Sequence, residues 1–153
     1  MLRTNKAAQL KFLKNVIGSS QICRNNYRRA ATGKRTIFDV ENIKDFENNV
    51  KRCEKPVVVD FHASWCTPCK ALAPRVASIV SEQRGGIHLA RVDIDELTEL
   101  ALDYQVGSVP SLLVMHNGKV LNRMVGLQTS EYIREWLGRV INTCAPDCSF
   151  IKK

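Results

Sequence analysis

Residues 57–70 read Val57-Val58-Val59-Asp60-Phe61-His62-Ala63-Ser64-Trp65-Cys66-Thr67-Pro68-Cys69-Lys70, and this stretch decides the fold. From Val57 to Phe61 the run is apolar on both parities except at Asp60, the pattern of a central strand covered on both faces. Helical spacing then begins near Cys66 and reaches about Gln83, where Gly85-Gly86 supplies a stop. Pro74 lies inside that helix and is expected to kink it, because its ring removes a backbone hydrogen bond. A buried strand feeding directly into a helix is the first half of a parallel strand–helix–strand unit.

Thr36 to Val40 predicts a short strand, and Asn42 to Arg52 a helix with Ile43, Phe46 and Val50 at helical spacing. Ile87 to Ile94 predicts a further strand, and Glu96 to Tyr104 a short helix. Ser111–His116 and Lys119–Val125 flank Asn117-Gly118, a strong short signal for a hairpin. Thr129 or Ser130 can cap a last helix ending near Ile141, with Glu131 and Glu135 towards its positive end. Parallel units followed by a hairpin and a closing helix imply an α/β domain: a mixed central sheet with helices on both faces.

The chain has 153 residues, room for one ordinary domain. Its net charge of +8 would point to nucleic acid or an anionic surface if it were spread over the domain. It is not. Nine basic residues and no acid fall in positions 1–38, against 14 basic and 15 acidic residues from Asp39 onward. No nucleic-acid partner is therefore expected. The basic leader carries an amphipathic stretch from Lys6 to Ile17 and the sequence Tyr27-Arg28-Arg29-Ala30-Ala31, Arg followed by small residues. We read residues 1–34 as a mitochondrial targeting segment, 35–142 as the folded domain and 143–153 as a tail; a basic arm that binds RNA or lipid is the alternative for the leader. No run approaches the roughly 18–20 apolar residues of a membrane span, so no membrane insertion is expected.

Of six cysteines, Cys66 and Cys69 sit where a helix begins, where backbone N–H groups and the positive dipole end favour a thiolate. Three residues apart, their sulfurs are one turn from each other and within reach of a disulfide. Pro68 fits the first turn, where its missing N–H forfeits nothing. Such a dithiol can attack a substrate disulfide with one sulfur and release the product with the other. The competing reading is half a zinc site completed by Cys144 and Cys148. Those two cysteines lie at the opposite end of the domain sequence and no His-Cys cluster supplements either pair, so redox chemistry is the expectation and a metal is not. Asp60, a lone acid among Val and Phe, should titrate at raised pH if buried; a solvent-facing Asp at the strand end is the alternative. Cys53 reads as a small packing residue.

The stretch 57–70, with Val92-Asp93-Ile94-Asp95, Val109-Pro110, Asn117-Gly118 and Gly126, resembles the thioredoxin family over about residues 36–142. With the basic leader and His62 it is most similar to the mitochondrial members. The resemblance implies a thioredoxin fold of about five strands and four helices. It also implies a monomeric protein disulfide reductase of the mitochondrial matrix, serving redox homeostasis there. Such a protein binds no cofactor, draws on NADPH indirectly through thioredoxin reductase, and passes electrons to protein disulfides such as those of peroxiredoxins. By the same resemblance Cys66 would be the nucleophile, Cys69 the resolving thiol and Asp60 the proton shuttle. Pro110 would be a cis-proline that leaves the Val109 backbone open to an extended substrate. Trp65 and Gly126 would belong to the same docking surface, although ordinary packing is the alternative for Trp65.

Three positions depart from the family's usual pattern or lie beside it. Thr67 stands where Gly is usual, which leaves the redox potential and choice of partner open. Arg91 stands where Lys is usual near the buried acid, so any charge coupling to Asp60 would be fixed, because a guanidinium keeps its proton. Lys70 reads as a solvated helix residue or a weak tuner of the thiolate. An oxidant or isomerase, or a non-catalytic interaction module on this fold, are the rival readings, since fold alone does not establish activity.

Overall fold

The computed structural model describes residues 36–143; the expected targeting segment with Cys23, and the tail cysteines Cys144 and Cys148, lie outside them. In chain order the elements are β1 (Ile37–Asp39), α1 (Ile43–Phe46) continued by a π turn (Glu47–Lys51), β2 (Val57–His62), α2 (Thr67–Glu82), β3 (His88–Asp93), α3 (Thr98–Asp103), β4 (Ser111–His116), β5 (Lys119–Val125) and α4 (Ser130–Thr143). One five-stranded sheet has the order β1-β3-β2-β4-β5. The β1–β3 and β2–β3 pairs are parallel, and the β2–β4 and β4–β5 pairs antiparallel. This is the mixed sheet expected from the sequence.

Strand alternation divides the core in two. Val58, Leu89, Leu112 and Val114 face α2 and α4, meeting Leu72, Val76, Ile79, Ile133 and Leu137. Val57, Val59, Phe61, Leu113 and Met115 face the other way, onto Phe46, Val50, Leu100 and Ala101 of α1, its π turn and α3. Because side chains in a strand alternate with period two, Asp60 shares the parity of Val58 and points to the α2 side. That parity carries it under the start of α2.

The first helix departs from the expected form. It is not α-helical to its end: Arg52 N–H donates to the Glu47 carbonyl at 3.1 Å, a bond spanning five residues. The wider turn keeps Phe46, Val50 and the buried Cys53 against the sheet. Ile43, the first helical residue, is 41% exposed and does not join them. Helical spacing says which residues share a face, whereas the place at which a helix begins to overlie the sheet says which of them are covered. At the end of α2 the chain turns left-handed already at Arg84 (φ 48°), one residue before the glycine pair expected to stop it. α2 continues as a helix through Pro74.

The hairpin follows its sequence signal. Asn117 and Gly118 have φ of 50° and 74°, both left-handed, as a two-residue turn matched to the strand twist requires. At the start of α4, Thr129 rather than Ser130 caps the helix, its hydroxyl accepting from Tyr132 N–H at 3.3 Å. Among the described residues no helix is long and apolar enough to cross a membrane.

Candidate active site

β2 ends at His62 and α2 starts at Thr67, so the intervening loop leaves the carboxyl end of the central strand, the edge at which open α/β sheets build their sites. Two more segments arrive there because of register. Phe61 pairs with Ser111 where β2 and β4 run antiparallel, which brings the preceding Val109-Pro110 to the end of β2. Ser111 in turn pairs with Val125, so Gly126 follows at the same edge, its N–H donating to the Pro110 carbonyl at 2.8 Å. The Val109–Pro110 peptide bond is cis. Gly126 has φ of 87°, a conformation that a side chain would strain. Ala63, Cys66 and Cys69 form a small cluster against Ile94 and Val109.

Cys66 is the N-cap of α2, with Thr67 and Pro68 in the first turn. Its sulfur is bonded to that of Cys69, with a Cα–Cα separation of 5.3 Å, and also accepts from Cys69 N–H at 3.2 Å. The helix therefore aims at the Cys66 sulfur the donors that would stabilise a thiolate once the bond is reduced. Both cysteines are nearly buried, at 3% and 4% exposure. Thr67, Pro68 and Lys70 are exposed around them. Trp65 is 66% exposed rather than packed, and its indole N–H donates to Asp95 Oδ2 at 2.9 Å. It stands beside the dithiol as an apolar plate with one edge tethered.

Beneath the dithiol, Asp60 is 2% exposed and its Oδ1 has no hydrogen-bond partner. Burial pushes its carboxyl up to about 6, against the smaller opposing fields of His62 and Arg91. Asp60 and Cys69 line one cavity of about 160 Å³, with His62, Lys70, Ala73 and Arg91 around it. The space is large enough to hold water between the carboxyl and the sulfur. The solvent-facing alternative for Asp60 does not hold.

Arg91 is Asp60's register partner on β3, yet its guanidinium turns the other way. Nε lies 2.8 Å from Asp39 Oδ1, and Nη2 donates to Asp39 Oδ2 at 2.9 Å. No local signal in the sequence ties Asp39 to Arg91, and His62, which lines the cavity, is a site residue beyond those expected from the sequence. The period of two from Asp60 to His62 was available for the latter. Among the described residues no group of three or more His, Cys, Asp or Glu side chains stands close enough to hold a metal ion, and the one free cysteine there, Cys53, is buried.

A central strand that ends on a Cys-x-x-Cys helix start, with a buried acid below and a cis-proline beside it, defines a domain built for thiol–disulfide exchange. The thioredoxin family model, described as Thioredoxin, matches residues 38–139, and the chain belongs to that family. The chain is 44% identical over 106 residues to "Thioredoxin, mitochondrial" of Bos taurus, covering 69% of this chain and 64% of that protein. It thus spans somewhat under two thirds of that relative's length. It is also 34% identical over 104 residues to "Thioredoxin" of Rickettsia typhi, 67% of this chain and 99% of the relative. A third relative is the "Bifunctional thioredoxin reductase/thioredoxin" of Mycobacterium leprae, 42% identical over 81 residues, 53% of this chain and 18% of that protein.

Proposed function

We propose that this protein is a protein disulfide reductase working through Cys66 and Cys69. The observation that carries the reading is the bonded cysteine pair at the N-terminus of α2, above a buried carboxyl, in a chain of the thioredoxin family. In the reduced protein the Cys66 thiolate attacks a substrate disulfide, forming a Cys66–substrate bond and expelling one substrate thiolate. Asp60 takes the proton of the Cys69 thiol. The Cys69 thiolate then attacks Cys66, forming the internal disulfide and releasing the second substrate thiolate. Two electrons pass to the substrate for each cycle.

Trp65, Val109, Pro110 and Gly126 form the docking surface, with the Val109 backbone available to an extended substrate segment. Thr67, Pro68, Lys70 and Arg91 tune the dithiol and its acid. No cofactor is bound; electrons come from NADPH through thioredoxin reductase, a partnership supported by the relative whose name joins the two. Disulfide proteins such as peroxiredoxins are the substrates, and the reductase acts as a monomer. The acid-free basic leader and the mitochondrial relatives support a role in redox homeostasis of the mitochondrial matrix, with residues 1–34 as the targeting segment, 35–142 as the working domain and 143–153 as a tail.

The deciding experiment follows NADPH oxidation with thioredoxin reductase and insulin as the disulfide. Turnover that depends on Cys66 supports the reading. Its absence in the wild-type chain, unrestored by Thr67→Gly, overturns it in favour of an interaction module.

A further inference from the structure

Three charged residues occupy one cross-strand row on the α2 side of the sheet. Asp39 of β1 pairs in register with Arg91 of β3, and Arg91 pairs in register with Asp60 of β2. Neighbouring strands lie about 4.8 Å apart, so a guanidinium on the middle strand can reach a carboxylate on either side. It takes the outer one: Asp39 holds it by both oxygens, at 2.8 and 2.9 Å. The inner one, nearly sealed from solvent, keeps an oxygen without a partner.

We infer that Asp39 is a positioning residue, which engages the guanidinium of Arg91 and so keeps that cation off the carboxylate of Asp60. The two acids differ in what the cation must give up. Asp39 is 67% exposed and leaves Arg91 40% exposed, whereas a bond to Asp60, 2% exposed, would turn the guanidinium from the cavity wall onto a carboxylate sealed from water, at a desolvation cost. With Asp39 in place the outer pair wins. Without it Arg91 loses the carboxylate that holds it on β1, and the inner carboxylate becomes the remaining acid in its row. A carboxylate paired with Arg holds its charge to much lower pH and gives up its role as a base near neutrality.

Other charged groups face Asp60 as well, and the field of His62 on its carboxyl exceeds that of Arg91. On its own strand His62 lines the cavity, and from α2 Cys69 and Lys70 do so. From β4 the register partner is the apolar Leu112. Of the row, only Arg91 carries a permanent charge with a second acid competing for it. The inference rests on the reading of Asp60 as the proton partner of Cys69.

The test is a carboxyl NMR titration of Asp60 in the oxidised full chain, joined to the pH profile of insulin reduction. In Asp39→Asn the Asp60 midpoint is expected to fall by about one pH unit, and the acid limb of the profile to move with it. Asp39→Glu keeps a carboxylate on β1 and should return both towards wild type. In an Arg91→Gln background, Asp39→Asn should produce no comparable change. An unchanged midpoint in the single variant overturns the inference. So does an equal shift in the Arg91→Gln background, which would reduce Asp39 to a distant negative charge. If the wild-type chain reduces no disulfide, the functional reading fails, while the titration still decides where Arg91 goes.

Discussion

β2 presents two faces that share one backbone and differ in purpose. On one, Val57, Val59 and Phe61 are fully buried against α1, its π turn and α3. On the other, Val58 is core, Asp60 is a buried acid and His62 lines the cavity beneath the dithiol. The first face contributes only packing. The second loses apolar character step by step towards the end from which the dithiol loop leaves. Within one strand, the chemistry begins where the sheet stops paying attention to burial alone, and a residue's parity decides which role it takes.

The largest effects are expected at the dithiol. Cys66→Ser is expected to abolish insulin reduction, whereas Cys69→Ser should still attack and accumulate a mixed disulfide, visible as a covalent adduct on a non-reducing gel. A Cys69→Ser variant that captures no partner would refute the order in which the two sulfurs act. On the packing face, Phe61→Ala should cost about 3–5 kcal/mol in urea unfolding, the range for a buried aromatic that leaves a cavity. A loss below about 1 kcal/mol would mean that this face is not the closely packed half of the core.

Asp60 gives the opposite sign. Its carboxyl titrates at about 6 folded against 3.8 for the ordinary group, so between those values the folded state holds more protons than the unfolded one. Stability therefore falls as pH rises through that window, and the penalty is complete above it. Asp60→Asn removes the penalty, so it should stabilise the oxidised protein at pH 7 by up to about 3 kcal/mol, with the gain vanishing below about pH 4. Unfolding curves at the two pH values check this, and a gain that does not depend on pH would count against it. The same variant should slow release of mixed disulfides. Thr67→Gly has the smallest expected effect: reduction persists, with an altered potential or altered rates towards particular partners. Redox equilibration with glutathione measures the first, and complete loss of activity would refute the expectation.

Much of the fold was legible because its signals are local. The buried run 57–61, the left-handed turn at Asn117-Gly118 and the helix start at Cys66 each depend on a few neighbouring residues. The π turn after Phe46 and the exposure of Ile43 were not legible, because both depend on how the helix sits over a sheet assembled from distant strands. Trp65 shows the same limit. Its position beside the dithiol follows from the chain, but its exposure and its bond to Asp95 follow from the fold.

The two sulfurs, one turn apart at a helix N-terminus, and the shared strand face of Val58, Asp60 and His62 follow from the sequence alone; that this face lies under α2 follows from the fold. Spacing along a helix and alternation along a strand are properties of the backbone, so they need no distant partner. The tertiary structure alone decided that the Val109–Pro110 bond is cis beside the dithiol, and that Arg91 turns to Asp39 rather than to Asp60. Strand register sets that second choice, bringing residues 39, 60 and 91 into one row. The unequal cost of dehydrating a cation at the two ends of the row then favours the outer acid.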